Sequence, residues 1–153
     1  MRLKTCLLGL LIPSLLGGWT TAQTEPISEA SEEWERIRSK AESHYEMVLL
    51  LIENKKFEEA VKNAKEIFSL PVPPEKHELL FDSAKEISDA LLHHKQYESA
   101  HQVLNFCFAA VSDTTILSNL HKEKAYIFKK MGRDDEAIIH FEKSIELSKK
   151  PNS

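Results

Sequence analysis

The segment from Ser118 to Pro151 constrains the fold more than any other part of the chain, because it holds two amphipathic helical patterns separated by a break at Gly132. Gly132 can adopt the left-handed backbone conformation that ends a helix, and Asp134 or Asp135 can cap the helix that follows. Neither helix could bury its apolar stripe alone, so we expect an antiparallel pair that stacks on further pairs. The apolar positions are Leu120, Ala125 and Phe128 before the break, and Ala137, Ile138, Phe141, Ile145 and Leu147 after it.

Two weaker copies of this pattern precede it. Phe57 with Ala60, and Tyr97 with Ala100, repeat the aromatic-to-alanine spacing at the start of a second helix. Together with Ala137, these marker alanines lie 40 and 37 residues apart, which exceeds the period of about 34 residues typical of a helix–turn–helix repeat and predicts lengthened connections. We therefore predict an all-α domain at 29–151 with repeats at about 41–74, 81–114 and 118–151, preceded by the first turns of one long helix that ends near 54.

The last copy resembles a tetratricopeptide repeat. The resemblance lies in the small, aromatic and glycine positions of that family, which here are Ala125, Phe128, Gly132, Ala137 and Phe141. Two positions depart from the pattern, since His121 stands where the family has a tryptophan and Asp134 where it has an aromatic residue. The resemblance implies a right-handed solenoid of antiparallel helix pairs with about three repeats.

The same resemblance implies where a partner would bind. In this family the first helix of each pair lines a concave groove that binds another protein or an extended peptide. The groove is expected to be acidic toward its N-terminal end and basic toward its C-terminal end. The family's clamp for a terminal carboxylate is not matched, because Leu49 stands where an asparagine is expected. The corresponding positions here are Glu42, Tyr45, Leu49, Ile52, Glu53, Asp82, Lys85, Asp89, Leu92, His93, Asn119, Lys122, Tyr126, Lys129 and Lys130.

The N-terminus has the layout of a secretory signal peptide. Arg2 and Lys4 precede an apolar run over 6–16, and small residues including Ala22 precede Gln23. We expect a signal peptide at 1–22, a disordered linker at 23–28 and an exported protein, periplasmic or secreted; an uncleaved anchor is the alternative. The mature chain would hold 18 basic and 24 acidic residues, a net charge of −6, which disfavours nucleic acid as a partner. Membrane contact would be limited to the uncleaved signal peptide.

No catalytic or cofactor-binding motif is recognisable, so we predict a protein that is not an enzyme and has no cofactor or metal. His77 and Glu78 begin a zinc-protease pattern, but Phe81 stands where the second histidine is required. We interpret the seven histidines as surface or groove residues and Cys107 as a small buried apolar residue. Two alternatives stay open: a self-associating, homo-oligomeric module that uses the face of Ile138, Phe141 and Ile145, and more remotely a histidine-dependent metalloenzyme.

Overall fold

The computed structural model describes residues 29–149, so the predicted signal peptide, the linker and the end of the last repeat lie outside the described residues. Within 29–149 the chain forms six α-helices and one short 3₁₀ turn, with no strand. The helices are α1 (Glu29–Glu53), α2 (Phe57–Phe68), α3 (His77–His93), α4 (Tyr97–Ala110), α5 (Thr114–Lys130) and α6 (Asp134–Ser148), with the 3₁₀ turn at Pro74–Lys76.

Successive helices pack as three pairs, α1 with α2, α3 with α4, and α5 with α6. The first helices of neighbouring pairs also contact one another, α1 with α3 and α3 with α5, while α4 packs against both α2 and α5. Each pair therefore rests on the next one along the chain. The prediction of an all-α helical repeat is confirmed.

The same turn joins the two helices of every pair. Its central residue has a positive φ in each case: Lys55 at 59°, Lys95 at 59° and Gly132 at 72°. Two backbone hydrogen bonds close each turn, and in the first pair Lys55 N donates to Ile52 O at 2.9 Å while Lys56 N donates to Leu51 O at 2.8 Å. Glycine is the usual residue at this kind of helix end, and among the three turns only the last one has it, at Gly132.

The two helices of the last pair begin differently. Asp113 caps α5, with its Oδ1 accepting from Ile116 N at 2.9 Å. The prediction that Asp134 or Asp135 caps α6 was wrong, because Arg133 occupies the capping position without a side-chain hydrogen bond. Both aspartates lie in the first turn instead, where their charge favours the positive end of the helix dipole.

The core runs through the stack as one apolar cluster. The marker alanines Ala60 and Ala100 are fully buried and Ala137 is 4% exposed, so these small residues lie where helices approach closely. Cys107 is also fully buried, which confirms its interpretation as a core residue. The largest side chains buried in the core include Ile67, Ile87, Leu91, Leu104, Leu120 and Ile127.

No helix within 29–149 has the length and apolarity needed to cross a bilayer.

Candidate functional site

Three cavities open along the row formed by α1, α3 and α5, which we call the first-helix face. They lie between α1 and α3, between the N-terminal halves of α3 and α5, and between the C-terminal halves of α3 and α5. Ten of the fifteen predicted groove positions line them: Glu42, Tyr45, Asp82, Lys85, Asp89, Leu92, Asn119, Tyr126, Lys129 and Lys130. Ile52 lies in the core instead.

The other four predicted groove positions lie outside these cavities. Glu53, His93 and Lys122 are exposed, and Leu49 is partly buried. His93 instead meets the ring of His94 edge-on, with ring centroids 5.5 Å apart. The role of all the predicted groove residues in binding stays a prediction.

The cavity between the C-terminal halves of α3 and α5, of about 610 Å³, brings together opposite charges. Lys85 Nζ donates to Asp89 Oδ2 at 2.6 Å, and this hydrogen bond raises the pKa of Lys85. Glu123, which the resemblance did not point to, also lines the cavity, and burial raises the pKa of its carboxyl while Lys85 opposes that rise. With Lys129 and Lys130 at its edge, this cavity is the more basic end of the face.

The cavity between α1 and α3, of about 380 Å³, is the more apolar and acidic end. Tyr45 donates its hydroxyl to Glu86, a residue that the sequence pattern did not single out. Burial, followed by the hydrogen bond to Glu86 and the nearby charges of Glu86 and Glu46, raises the pKa of Tyr45 to about 12. The hydroxyl therefore stays a donor at physiological pH and ties α1 to α3 across the cavity.

The third cavity, of about 390 Å³, lies at the N-terminal ends of α3 and α5. Asp82 and Asn119 line it together with Phe81 and Pro74. Asp82 thus borders two cavities, so this third cavity lies next to the cavity between α1 and α3.

A second group of polar residues lies between α4, α5 and α6, away from the first-helix face. His121 Nδ1 lies 2.8 Å from His140 Nδ1, so one imidazole donates and the other accepts. The ring of His140 stacks on Phe128 with centroids 5.2 Å apart, and Phe128 also contacts His101. We call His101, His121 and His140 the histidine cluster. The interpretation of all histidines as surface or groove residues was therefore wrong for these three, which are partly buried, and also for His77, which is 8% exposed.

The surroundings of the histidine cluster disfavour added protons. Lys124 is only 6% exposed and places its Nζ 4.3 Å from the ring centre of Phe108. Burial, followed by the charge of Lys124, lowers the pKa of both His101 and His121. Burial, followed by His121 and Lys124, lowers the pKa of His140 to about 4. Protonation of the cluster is thus disfavoured, and the contacts of His140 with His121 and Phe128 pack α6 onto α5.

This clustering has little metal-binding character. The short Nδ1-to-Nδ1 distance is that of a hydrogen bond, so those two atoms already satisfy one another. Among residues 29–149, no group of three or more histidine, cysteine, aspartate or glutamate side chains is arranged to hold a metal ion.

The stacked pairs, the repeated turn and the buried marker alanines define an all-α helical-repeat protein. Residues 123–151 match the family model of the tetratricopeptide repeat. No curated protein matches the sequence. Tetratricopeptide repeats act as protein–protein interaction modules and are typically scaffolds without catalytic activity.

Proposed function

We propose that this protein is a non-catalytic scaffold that binds a peptide or another protein along the first-helix face. The observation that carries the proposal is the row of three cavities between α1, α3 and α5. The cavities combine apolar walls with unlike charges, and concave sites with a few placed polar groups are the usual form of binding surfaces.

The experiment is affinity purification with matched variants, followed by mass spectrometry. A Lys129→Glu/Lys130→Glu variant reverses two charges on the first-helix face. Lys62→Glu/Lys65→Glu makes the same charge change on exposed residues of α2. We expect the first variant to lose partners that the wild type and the α2 variant retain. Equal recovery of the same partners by all three proteins would contradict the proposal.

We further propose that the protein is exported. The support is the charged, apolar and small-residue layout of residues 1–22. Sequencing the N-terminus of the protein recovered outside the cytoplasm should give Gln23 as the first residue. Recovery of the full-length chain from the cytoplasm alone would contradict this.

A second candidate function is self-association through α6. Ile138, Ile139 and Ile145 are 55%, 55% and 54% exposed, which is unusual for isoleucine. Phe141 is not part of this exposed set, because it is partly buried and meets Tyr126 edge-on with centroids 5.4 Å apart. Light scattering would detect a dimer, and Ile139→Lys/Ile145→Lys should then return it to a monomer. A wild-type mass of one chain at all concentrations would exclude this candidate.

A further inference from the structure

The cavity between α1 and α3 has an apolar interior. Trp34 and Tyr45 of α1 face Leu79 and Leu80 of α3 across it, and Ile67 of α2 contributes from below. Leu79 is 49% exposed, so a large apolar side chain lies open to solvent at the cavity wall. A volume of about 380 Å³ is at the small end of ligand pockets and suits individual side chains of a partner better than a whole folded element.

The rim of this cavity is acidic. Glu42, Asp82 and Glu86 contribute three carboxylates, whereas Arg38 contributes the one basic side chain lining it. Arg38 lies 2.9 Å from Glu35 and 3.5 Å from the rim carboxylate of Glu42. Because three carboxylates outnumber this one guanidinium, the rim has a net negative charge beside the apolar interior.

The chain itself shows that a cation can occupy this region. Lys76 places its Nζ 5.9 Å from the ring centre of Trp34, within the range of a cation–π contact. The indole thus has a face that a positive side chain can approach, at the edge of a cavity lined by carboxylates. The charges at the rim of this cavity favour basic groups and disfavour acidic ones.

We propose that this cavity binds a basic, apolar segment of a partner polypeptide. An aromatic or large aliphatic side chain of the partner enters between Trp34, Tyr45 and Leu79. Flanking lysine or arginine side chains of the partner meet the carboxylates of the rim. This inference rests on the proposed function and narrows the class of partner. Charge complementarity at the rim raises the association rate and rejects acidic segments, while apolar contact slows dissociation.

The test uses three fluorescently labelled, end-blocked short peptides and the full chain. The first has one phenylalanine flanked by lysine and arginine, the second replaces every basic residue by glutamate, and the third replaces the phenylalanine by alanine. We expect fluorescence anisotropy to show at least about tenfold weaker binding for the second and third peptides, and weaker binding of the first as salt is added. Equal affinity for the three peptides would overturn the proposal.

Variants then locate the site. Glu42→Gln/Asp82→Asn removes two rim charges without touching the hydrogen bond between Tyr45 and Glu86, and Leu79→Ser removes exposed apolar area. Both variants should bind the basic peptide at least severalfold more weakly than the wild type does. Glu58→Gln/Glu66→Gln makes the same charge change on exposed residues of α2 and should leave the affinity unchanged. Equal affinity for all variants would place any binding elsewhere.

A second readout separates this inference from the proposed function. The NMR signal of the Trp34 indole N–H, assigned with Trp34→Phe, should shift when the basic peptide is added. If the signal does not move while partner capture still depends on Lys129 and Lys130, the acidic cavity is excluded and the scaffold function stands. If capture is also indifferent to Lys129 and Lys130, the scaffold function fails as well.

Discussion

At the scale of single residues, the three turns differ in how well their central residue suits the backbone. The left-handed conformation costs a residue with a Cβ about 1–2 kcal/mol, and glycine avoids that cost. Gly132 is matched to its φ of 72°, whereas Lys55 and Lys95 hold φ near 59° with an ordinary side chain. The first two turns therefore retain strain that the last one lacks.

This difference predicts opposite effects of exchanging glycine. Lys55→Gly or Lys95→Gly should raise the free energy of unfolding by about 0.5–1 kcal/mol, because relief of strain outweighs the entropy that glycine adds to the unfolded chain. Gly132→Ala should lower it by about 1 kcal/mol. No atom lies within 4 Å of the added Cβ at Gly132, so that cost comes from the backbone alone.

Urea denaturation of the three variants measures these changes. Lys62→Gly, in the exposed middle of α2, is the control and should be destabilising, since glycine is unfavourable within a helix. A loss of stability in Lys55→Gly equal to that in Lys62→Gly would contradict the strain argument.

The residue scale also shows where prediction from sequence succeeds and fails. Gly132 is recognisable because glycine is the usual residue for this turn, but nothing local distinguishes Lys55 or Lys95 from an ordinary surface lysine. Those two turns could be inferred only from Ala60 and Ala100, each of which lies five residues after the turn, as Ala137 does after Gly132. Asp134 was misassigned because acidic residues suit both a cap and a first turn.

At the scale of helices, the marker alanines set how closely the elements pack. Ala100 of α4 is fully buried, whereas Ala109 of the same helix is exposed. Ala100→Leu should therefore overpack the crossing and lower the free energy of unfolding by about 1–3 kcal/mol. Ala109→Leu, the same change at an exposed site, should have an effect within about 0.5 kcal/mol. Comparable losses in thermal or chemical denaturation of both variants would argue against close packing at Ala100.

The packing of α6 onto α5 should depend on pH through the histidine cluster. An unfolded histidine has a pKa of about 6.5, whereas the pKa of folded His140 is about 4. Between these values the folded state binds fewer protons than the unfolded state, so the free energy of unfolding falls as the pH is lowered from about 6.5 toward about 4. Lys124 adds to this effect, because its charge lies near all three histidines.

Denaturation at about pH 7.5 and about pH 5 measures this dependence. Because His140 keeps partial contact with solvent, we expect its contribution to the loss to be about 1 kcal/mol. His140→Gln should remove that part of the loss, whereas His93→Gln, at an exposed position of α3, should not change it. An identical pH dependence in the wild type and His140→Gln would refute the role of His140.

The histidine cluster also marks a limit of sequence reasoning at the helix scale. His121 was recognised as standing in the position of the family's tryptophan, but its contact with His140 joins two helices and cannot be read from spacing along one. The same holds for Glu86, whose hydrogen bond with Tyr45 crosses from α3 to α1. Residues that share one helix face could be predicted from the sequence, whereas contacts with residues of another helix could not.

At the scale of the whole molecule, stability is distributed in series. Within 29–149, α3 packs against four other α-helices, whereas α6 packs against α5 alone. In such an array each unit is stabilised by its neighbours, so the terminal element opens most easily. Three isoleucines of α6 are exposed, so much of the apolar surface of this helix is not buried against the rest of the stack.

Hydrogen exchange should reveal this gradient. Backbone amides of α6 and of the first turns of α1, where most side chains are exposed, should exchange fastest, and those of α3 and α4 slowest. Ser118→Ala, which removes the hydrogen bond of 2.8 Å from its Oγ to Ser144 O, should speed exchange in α6 without a comparable effect in α3. Uniform protection across all six helices would show that the chain opens as a single unit instead.

The full burial of Cys107 has a consequence for the reactivity of its thiol. Burial raises the pKa of its thiol to about 12, so the reactive thiolate is scarce and no exposed sulfur is presented while the stack is closed. Covalent dimers linked through this sulfur can then form only from opened molecules. Material cross-linked through Cys107 in an aged preparation would consequently record past unfolding and would say nothing about how folded copies assemble.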